Sequence, residues 1–484
     1  MTSLTKTEID QIALKVVSLL NSEKKSQEVK TAGVVQAQEK ISAGEGIFND
    51  IDSAVKAASD AQKKLITLTL EKREEIITNI RKVMLHNARD LAERAFEETG
   101  LGRSYDKILK NELVIKKTPG TEILRPEAYS GDRGLTLMEL APYGVIGAIT
   151  PTTNPTSTII CNTIGMVSAG NSVVFNAHPS AKNVSIYNVQ LLNQAVIGAG
   201  GPDNLITTVA KPTIESANEL MSHPGVSLLV VTGGEGVVNA AMKSGKRAIC
   251  AGPGNPPVVV DETADIDNAA KCIIKGASLD NNMICVLEKE IFVVDSVADE
   301  LIRAFKENNA VILSRDEINR LDKIIFSKTN GPGKPGVVEK KFIGKNIQVI
   351  LKEIGKDIDD SVRLAIAPVE EGHPLVWTEQ MMPVIPLVRV PDADYGINIA
   401  IKAEHGFRHT AVMHSKDIDR LSRMAKEINS SIFVKNGPSL AGLGFGGEAY
   451  CSFSIASPTG EGITNPRSFT RERRCVLVDH FRII

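Results

Sequence analysis

Residues 144–176 read GVIGAITPTTNPTSTIICNTIGMVSAGNSVVFN, and their alternation decides the fold. Val145–Thr150 is a short apolar run of strand type, and two prolines stiffen the turn after it. Thr156–Ala169 has helical length and spacing, and Ser172–Asn176 is a second strand. The alternation continues downstream. Ser180–Ile197 is expected to be a helix, Leu205–Val209 a strand, Thr213–Ser222 a helix, Val226–Val231 a strand, Gly236–Ser244 a helix and Arg247–Cys250 a strand. Short β-rich runs separated by helices predict an α/β chain whose parallel, doubly wound sheet is built by right-handed crossovers. Ligands of such sheets sit at the carboxyl ends of the strands. The turns Thr150–Thr156, Asn176–Ser180, Ala210–Thr213 and Thr232–Gly236 are therefore expected to supply a site.

Upstream, helical spacing runs through Ile51–Leu70, Glu71–His86 and Ala88–Thr99, with Gly100 and Gly102 as stop signals. Leu135, Leu137 and Ala141 share one side of a period-two pattern that Glu139 interrupts, which predicts an arm strand over Leu135–Pro142. After Gly254-Asn255-Pro256-Pro257 the αβ pattern restarts with Val258–Val260, Ile266–Gly276, Ile291–Val294 and Val297–Glu307. Thr329–Val338 is a Gly-, Lys- and Pro-rich exposed loop, αβ units run on to about Ser430, and Arg471–Ile484 has the pattern of an edge strand. At the other end, Ile9, Ile12, Ala13, Val16, Val17, Leu19 and Leu20 fall largely on one helical face within residues 1–22. A polar stretch over 23–45 follows and has linker composition. A short amphipathic helix on a leash is a docking element unless it packs on its own domain.

The totals exclude several function classes. Lys+Arg 56 against Asp+Glu 58 leaves a net charge of −2 over 484 residues, with no basic footprint for nucleic acid. No apolar run reaches the length of a membrane span, and no secretory leader is expected. The six cysteines are scattered without a CxxC pair, which argues against a metal site and suits a reducing interior.

Four places could carry chemistry. Ser278-Leu-Asp-Asn-Asn-Met-Ile-Cys285-Val-Leu287 sets one thiol inside an apolar run, where it is either buried filler or a nucleophile. Asn154 presents an amide from the rigid first strand-to-helix turn. It could stabilise an oxyanion or simply cap the following helix. Thr232-Gly233-Gly234-Glu235-Gly236 would let a phosphate approach backbone N–H groups at a helix N-terminus, or be a tight turn and nothing more. Glu379 is a carboxylate in an apolar stretch that ribose hydroxyls, a lysine or backbone amides could satisfy.

Together these residues resemble the aldehyde dehydrogenase superfamily, and more narrowly its CoA-acylating branch, the propionaldehyde/acetaldehyde dehydrogenases of bacterial microcompartments. The likeness runs from about Gly46 to Ile484. It rests on Thr150–Pro155, Ala169–Ser172, Val231–Gly234, Ala251–Pro257, Gly276–Asn282 with Cys285, Glu379–Pro383, Ile432–Pro438 and Pro458–Gly462. The resemblance implies a Rossmann-type cofactor domain over 46–253 with its arm strand at 135–142, and a catalytic α/β domain over 254–443. It further implies a return to the cofactor domain over 444–470 and a small β oligomerisation arm ending in the 471–484 strand, in a homodimer or homotetramer. It gives Cys285 the role of nucleophile and Asn154 that of oxyanion donor. Thr150, Pro151, His178, Thr232, Gly233, Gly234, Gly236, Gly252 and Glu379 would bind NAD, and coenzyme A would be co-substrate. No metal is implied. Two departures bear on chemistry. Ala251 stands where hydrolytic relatives carry a general-base glutamate, and alanine cannot take a proton, so a thioester on Cys285 would wait for CoA. Asn176-Ala177-His178-Pro179 replaces a Lys-Pro-x-Glu pattern that holds the adenosine ribose, leaving NAD and NADP both open. In this branch the 1–22 helix resembles a peptide that docks on shell or cargo protein, which would place the chain in the cytoplasm, inside a microcompartment.

Overall fold

The computed structural model describes residues 45–484. The expected helix over 1–22 and the linker after it lie outside the described residues, apart from Glu45. A six-stranded sheet runs in the order Ile47–Phe48, Ile206–Val209, Ser172–Ala177, Val145–Thr150, Leu228–Thr232, Ala248–Ala251, every pair parallel. Val145–Thr150 and Ser172–Ala177 are buried at every position, as strands covered on both faces must be, which is why they read as unbroken apolar runs. The chain builds outward from Val145–Thr150 on one side, then returns to lay Leu228–Thr232 on the other. The order therefore reverses between these two strands, and a crevice opens at their carboxyl ends.

A second sheet, all parallel, runs Val311–Ile312, Ala365–Pro368, Val384–Val390, Glu290–Val294, Pro257–Val260, Thr410–His414, Ile432–Lys435. One continuous apolar core joins the two sheets and includes Ile146, Phe175, Val230, Val258, Ile291 and Val412, all fully buried. Each such side chain contributes roughly 1.5–3 kcal/mol relative to exposure. Helix Pro155–Ser168, packed on Val145–Thr150 and Ser172–Ala177, is buried all round, the pattern of a core helix rather than an amphipathic surface one. A three-stranded antiparallel sheet of Glu127–Gly131, Gly134–Pro142 and Thr470–Val478 stands apart from both. Glu139, the break in the arm's alternation, pairs in register with Arg473.

Several elements differ from the sequence reading: strand Glu127–Gly131 is one it does not expect, and the last strand is Thr470–Val478 rather than Arg471–Ile484. The first long helix stops at Leu65, and Thr69 caps a second, Leu70–His86, through the Lys72 N–H (3.1 Å). Helix Ser104–Lys117 escapes the apolar pattern because four of its polar residues, Asp106, Lys107, Lys110 and Asn111, are themselves buried. Gly100 does close its helix in the left-handed region (φ 63°). Gly102 serves a second end: a Cβ there would lie 2.0 Å from the Asp280 carboxylate, so this glycine makes room for Asp280.

Candidate active site

The Cys285 segment begins with a backbone that ordinary residues avoid. Asp280, Asn281 and Asn282 all lie in the left-handed region, with φ of 46°, 55° and 66°. Asp and Asn tolerate this conformation better than other L-residues, and here each side chain is held by several partners. Asp280 accepts from the Arg103 N–H (2.7 Å) and from Lys107 Nζ (3.0 Å), and pairs with Lys110. Asn281 accepts from Arg103 Nε (2.8 Å) and donates to Gly344 O (2.9 Å) and Asn346 Oδ1 (2.8 Å). Asn282 donates to Ala277 O (2.9 Å) and Glu288 O (3.0 Å), tying together the two ends of the loop that carries Cys285. Lys289 Nζ closes the loop on Asn282 O (2.8 Å).

Cys285 is half-buried and opens on a pocket of about 790 Å³. Asn154, 7 % exposed, reaches the same pocket. It sits at the N-cap of helix Pro155–Ser168, but its side chain makes no capping bond. Instead Oδ1 accepts from Lys110 Nζ (2.7 Å) and Nδ2 donates to Thr153 Oγ1 (3.2 Å). Of its two possible uses, capping is thus the one the amide does not perform. The residues expected to bind the cofactor line this one pocket: Thr150, Pro151, His178, Thr232, Gly233, Gly234, Gly236, Gly252 and Glu379. The four strand-to-helix turns all contribute to it.

A dinucleotide fits this cleft. Gly234 is the N-cap of helix Glu235–Met242 without a side-chain cap, and a Cβ at Gly234 or Gly236 would meet nothing within 4 Å, so the turn offers open backbone N–H groups to phosphate. The buried hydroxyls of Thr150 and Thr152 have no partner. Glu379 has one weak donor, the Gly254 N–H (3.4 Å), and its neighbour Gln380 is anchored through Nε2 on Lys289 O (3.0 Å) and Val384 O (2.9 Å). Ile214, Ala217, Met221 and Val237 give the far end an apolar wall. Nδ1 of His178 accepts from the Ser180 N–H (3.2 Å), which leaves Nε2 as the donor of the neutral ring. Burial draws that ring's pKa down, so at neutral pH it presents a donor without charge.

Among the described residues, three titratable side chains line the pocket: Cys285, His178 and Glu379. The Cys285 thiol is pushed up to about 12, chiefly by burial and next by the Glu379 carboxylate. Lys289 and the N–H groups of Cys285 and Val286 pull the other way. Glu379 is itself raised by burial, with Lys289 opposing. Behind Asn154, burial draws the Lys110 ammonium down to about 8 while Asp280 holds it up. Ala251 is buried at the end of its strand, outside the pocket lining, where its carbonyl accepts the Gly233 N–H (3.1 Å). Among the described residues no group of three or more His, Cys, Asp or Glu side chains could hold a metal ion.

The sequence reading missed the buried lysines behind the site, Lys107, Lys110 and Lys289, and the part Asp280 plays in holding two of them. It also missed Ser452, Phe453 and Ile455, which close the pocket. Buried lysines leave no periodic signal that separates them from solvated ones.

The model of the aldehyde dehydrogenase family matches residues 22–330. The chain belongs to that family. Among curated members of the family, the acetylating acetaldehyde dehydrogenase EutE of Salmonella typhimurium is 50% identical over 440 residues, covering 91% of this chain and 94% of that one. The propionaldehyde dehydrogenase of Rhodopseudomonas palustris, solved with bound CoA and an acylated cysteine, superposes with a TM-score of 0.87 at 48% identity, covering 90% of this chain and 99% of the other. A propionaldehyde dehydrogenase from the fucose-utilisation microcompartment of Clostridium phytofermentans gives 0.88 at 47% identity, covering 91% and 100%. The fold is therefore that of an aldehyde dehydrogenase.

In such a site the resting thiol is neutral, and its ionisation is opposed by Glu379. Alkylation of Cys285 by iodoacetamide is expected to be slow and to rise between about pH 7 and 10 without a plateau. Glu379→Gln removes a negative charge beside the sulfur, eases ionisation and speeds alkylation at any given pH. A rate already level below about pH 8 would contradict this electrostatic account.

Proposed function

We infer that this protein oxidises a short-chain aldehyde, acetaldehyde or propionaldehyde, with NAD⁺ and CoA to the acyl-CoA and NADH, reversibly, through a thioester on Cys285. The observation that carries the reading is the meeting of Cys285, the uncapped amide of Asn154 and the open Thr232–Gly236 turn in one pocket. The related acetylating and propionaldehyde enzymes, one of them described with CoA and an acylated cysteine, support it.

Cys285 gives up its thiol proton to water and adds through the thiolate to the aldehyde carbon, and the carbonyl oxygen becomes an oxyanion. The Asn154 Nδ2–H and the N–H of Cys285 are the donors assigned to that oxygen. A nicotinamide nucleotide, when bound, supplies the hydride acceptor. The Thr232–Gly236 turn is assigned to its phosphates, Glu379 to a ribose, and Thr150, Pro151, His178 and Gly252 to the walls around it. Among the described residues, no Lys or Arg and no carboxylate other than Glu379 lines the pocket, so both NAD and NADP fit this reading. The acyl-Cys285 thioester then meets no glutamate at position 251 to activate water. CoA thiolate attacks it, the Cys285–acyl bond breaks, and the thiol is returned.

The sheet of residues 47–251 is the cofactor-binding half in this reading and that of 257–435 the catalytic half, with the antiparallel arm as the surface for a dimer or tetramer. The amphipathic segment 1–22 is assigned to docking on microcompartment shell or cargo protein, supported by its apolar periodicity and by the microcompartment origin of the Clostridium relative.

Two measurements check this reading. Without CoA, NADH formation is expected to stop after about one equivalent per active site, and with CoA to run on. Steady NADH formation without CoA would point to hydrolysis to the free acid. Deleting Met1–Leu20 is expected to leave activity unchanged while abolishing co-purification with shell, whereas intact co-purification would remove the docking role.

A further inference from the structure

We propose that Lys110 is a positioning residue that decides which end of the Asn154 amide faces the reacting oxygen, an inference that rests on reading Asn154 as the oxyanion donor. An asparagine carries an acceptor and a donor on two ends of nearly the same shape. A flipped Asn154 would present its oxygen to an oxyanion and repel it. Something must therefore select the orientation.

The helix that follows does not select it, since Asn154 makes no capping bond. Thr153 Oγ1, 3.2 Å from Nδ2, does not select it either, because a hydroxyl donates or accepts with equal ease. Lys110 does. Its side chain is 3 % exposed, and Nζ lies 2.7 Å from Asn154 Oδ1. An ammonium has only donors, so the atom facing it must be the amide oxygen, and the NH₂ must turn the other way. Flipping the amide would bring donor against donor in a buried site. The positive charge on the oxygen side also polarises the amide and strengthens its N–H as a donor.

Lys110 is held in turn by Asp280, the first residue of the left-handed turn before Cys285. One carboxylate thus aligns the donor's support with the nucleophile's loop. Lys107 binds the same carboxylate at 3.0 Å, so removing Lys110 leaves Asp280 paired.

The test is a double-mutant cycle on the rate of the first-turnover NADH burst. Lys110→Met is expected to slow the burst on the order of 10- to 100-fold. In an Asn154→Ala background it is expected to cost less than about 3-fold more. Lys110→Arg, which again offers only donors, should recover part of the rate. Iodoacetamide alkylation of Cys285, which forms no oxyanion, should be unchanged in Lys110→Met. Equal losses in both backgrounds, or alkylation falling together with the burst, would overturn the positioning role. A wild-type burst in Asn154→Ala would overturn the reading of Asn154, and this proposal with it. If Lys110→Met does not fold, Lys110→Gln carries the same cycle. Its amide offers either end to Asn154, so the same loss is expected.

Discussion

Three consecutive left-handed residues, Asp280, Asn281 and Asn282, are the constraint on which the rest of the site depends. A left-handed conformation costs an ordinary L-residue about 1–2 kcal/mol, and asparagine and aspartate pay less because their short polar side chains bond locally. Here they do more than bond locally. Arg103, Lys107 and Lys110 from one segment, Gly344 and Asn346 from another, and Lys289 from beyond the cysteine converge on the three side chains. The turn is over-determined, and the loop it launches delivers Cys285 to a pocket built mainly by the other sheet. Breaking a buried ion pair by removing one partner is costly, so the cluster sets geometry more than it adds net stability.

The same economy governs the electrostatics. Few titratable groups reach the pocket, and burial shifts each of them toward its neutral form: the thiol and Glu379 upward, His178 downward. A neutral thiol resists adventitious alkylation and oxidation, because the thiolate is the reactive species. It also means that the groups assigned to binding and to reaction are coupled. A positive charge brought beside the sulfur, or loss of the charge on Glu379, would each favour the thiolate.

Much of this was legible in the sequence because it rests on turn chemistry. Proline and asparagine at Thr150–Pro155 and the glycines at Thr232–Gly236 sit where a strand ends, and strand ends in a parallel sheet converge, whereas Glu379 stood out only as a lone carboxylate in the apolar loop ahead of strand Val384–Val390. The alternation between Gly144 and Gly252 was legible for a related reason, since strands covered on both faces read as continuous apolar runs. What was illegible is polar and buried. Helix Ser104–Lys117 was passed over because a buried Asp-Lys face resembles a solvated one. Gly102 reads as a helix stop, although its room is taken by a carboxylate 178 residues further along. Strand Glu127–Gly131 is almost wholly exposed and carries no alternation to find. Ala251 has meaning only against the glutamate of hydrolytic relatives, which no amount of periodicity reveals.

The account turns on an acyl group that rests on Cys285 until CoA removes it. Intact-mass spectrometry of the full chain, mixed with propionaldehyde and NAD⁺ in the absence of CoA, measures that directly. The account predicts a single propionyl adduct, located on Cys285, absent from Cys285→Ala and discharged as propionyl-CoA when CoA is added. An unmodified chain with propionate accumulating, or the same adduct on Cys285→Ala, would contradict it.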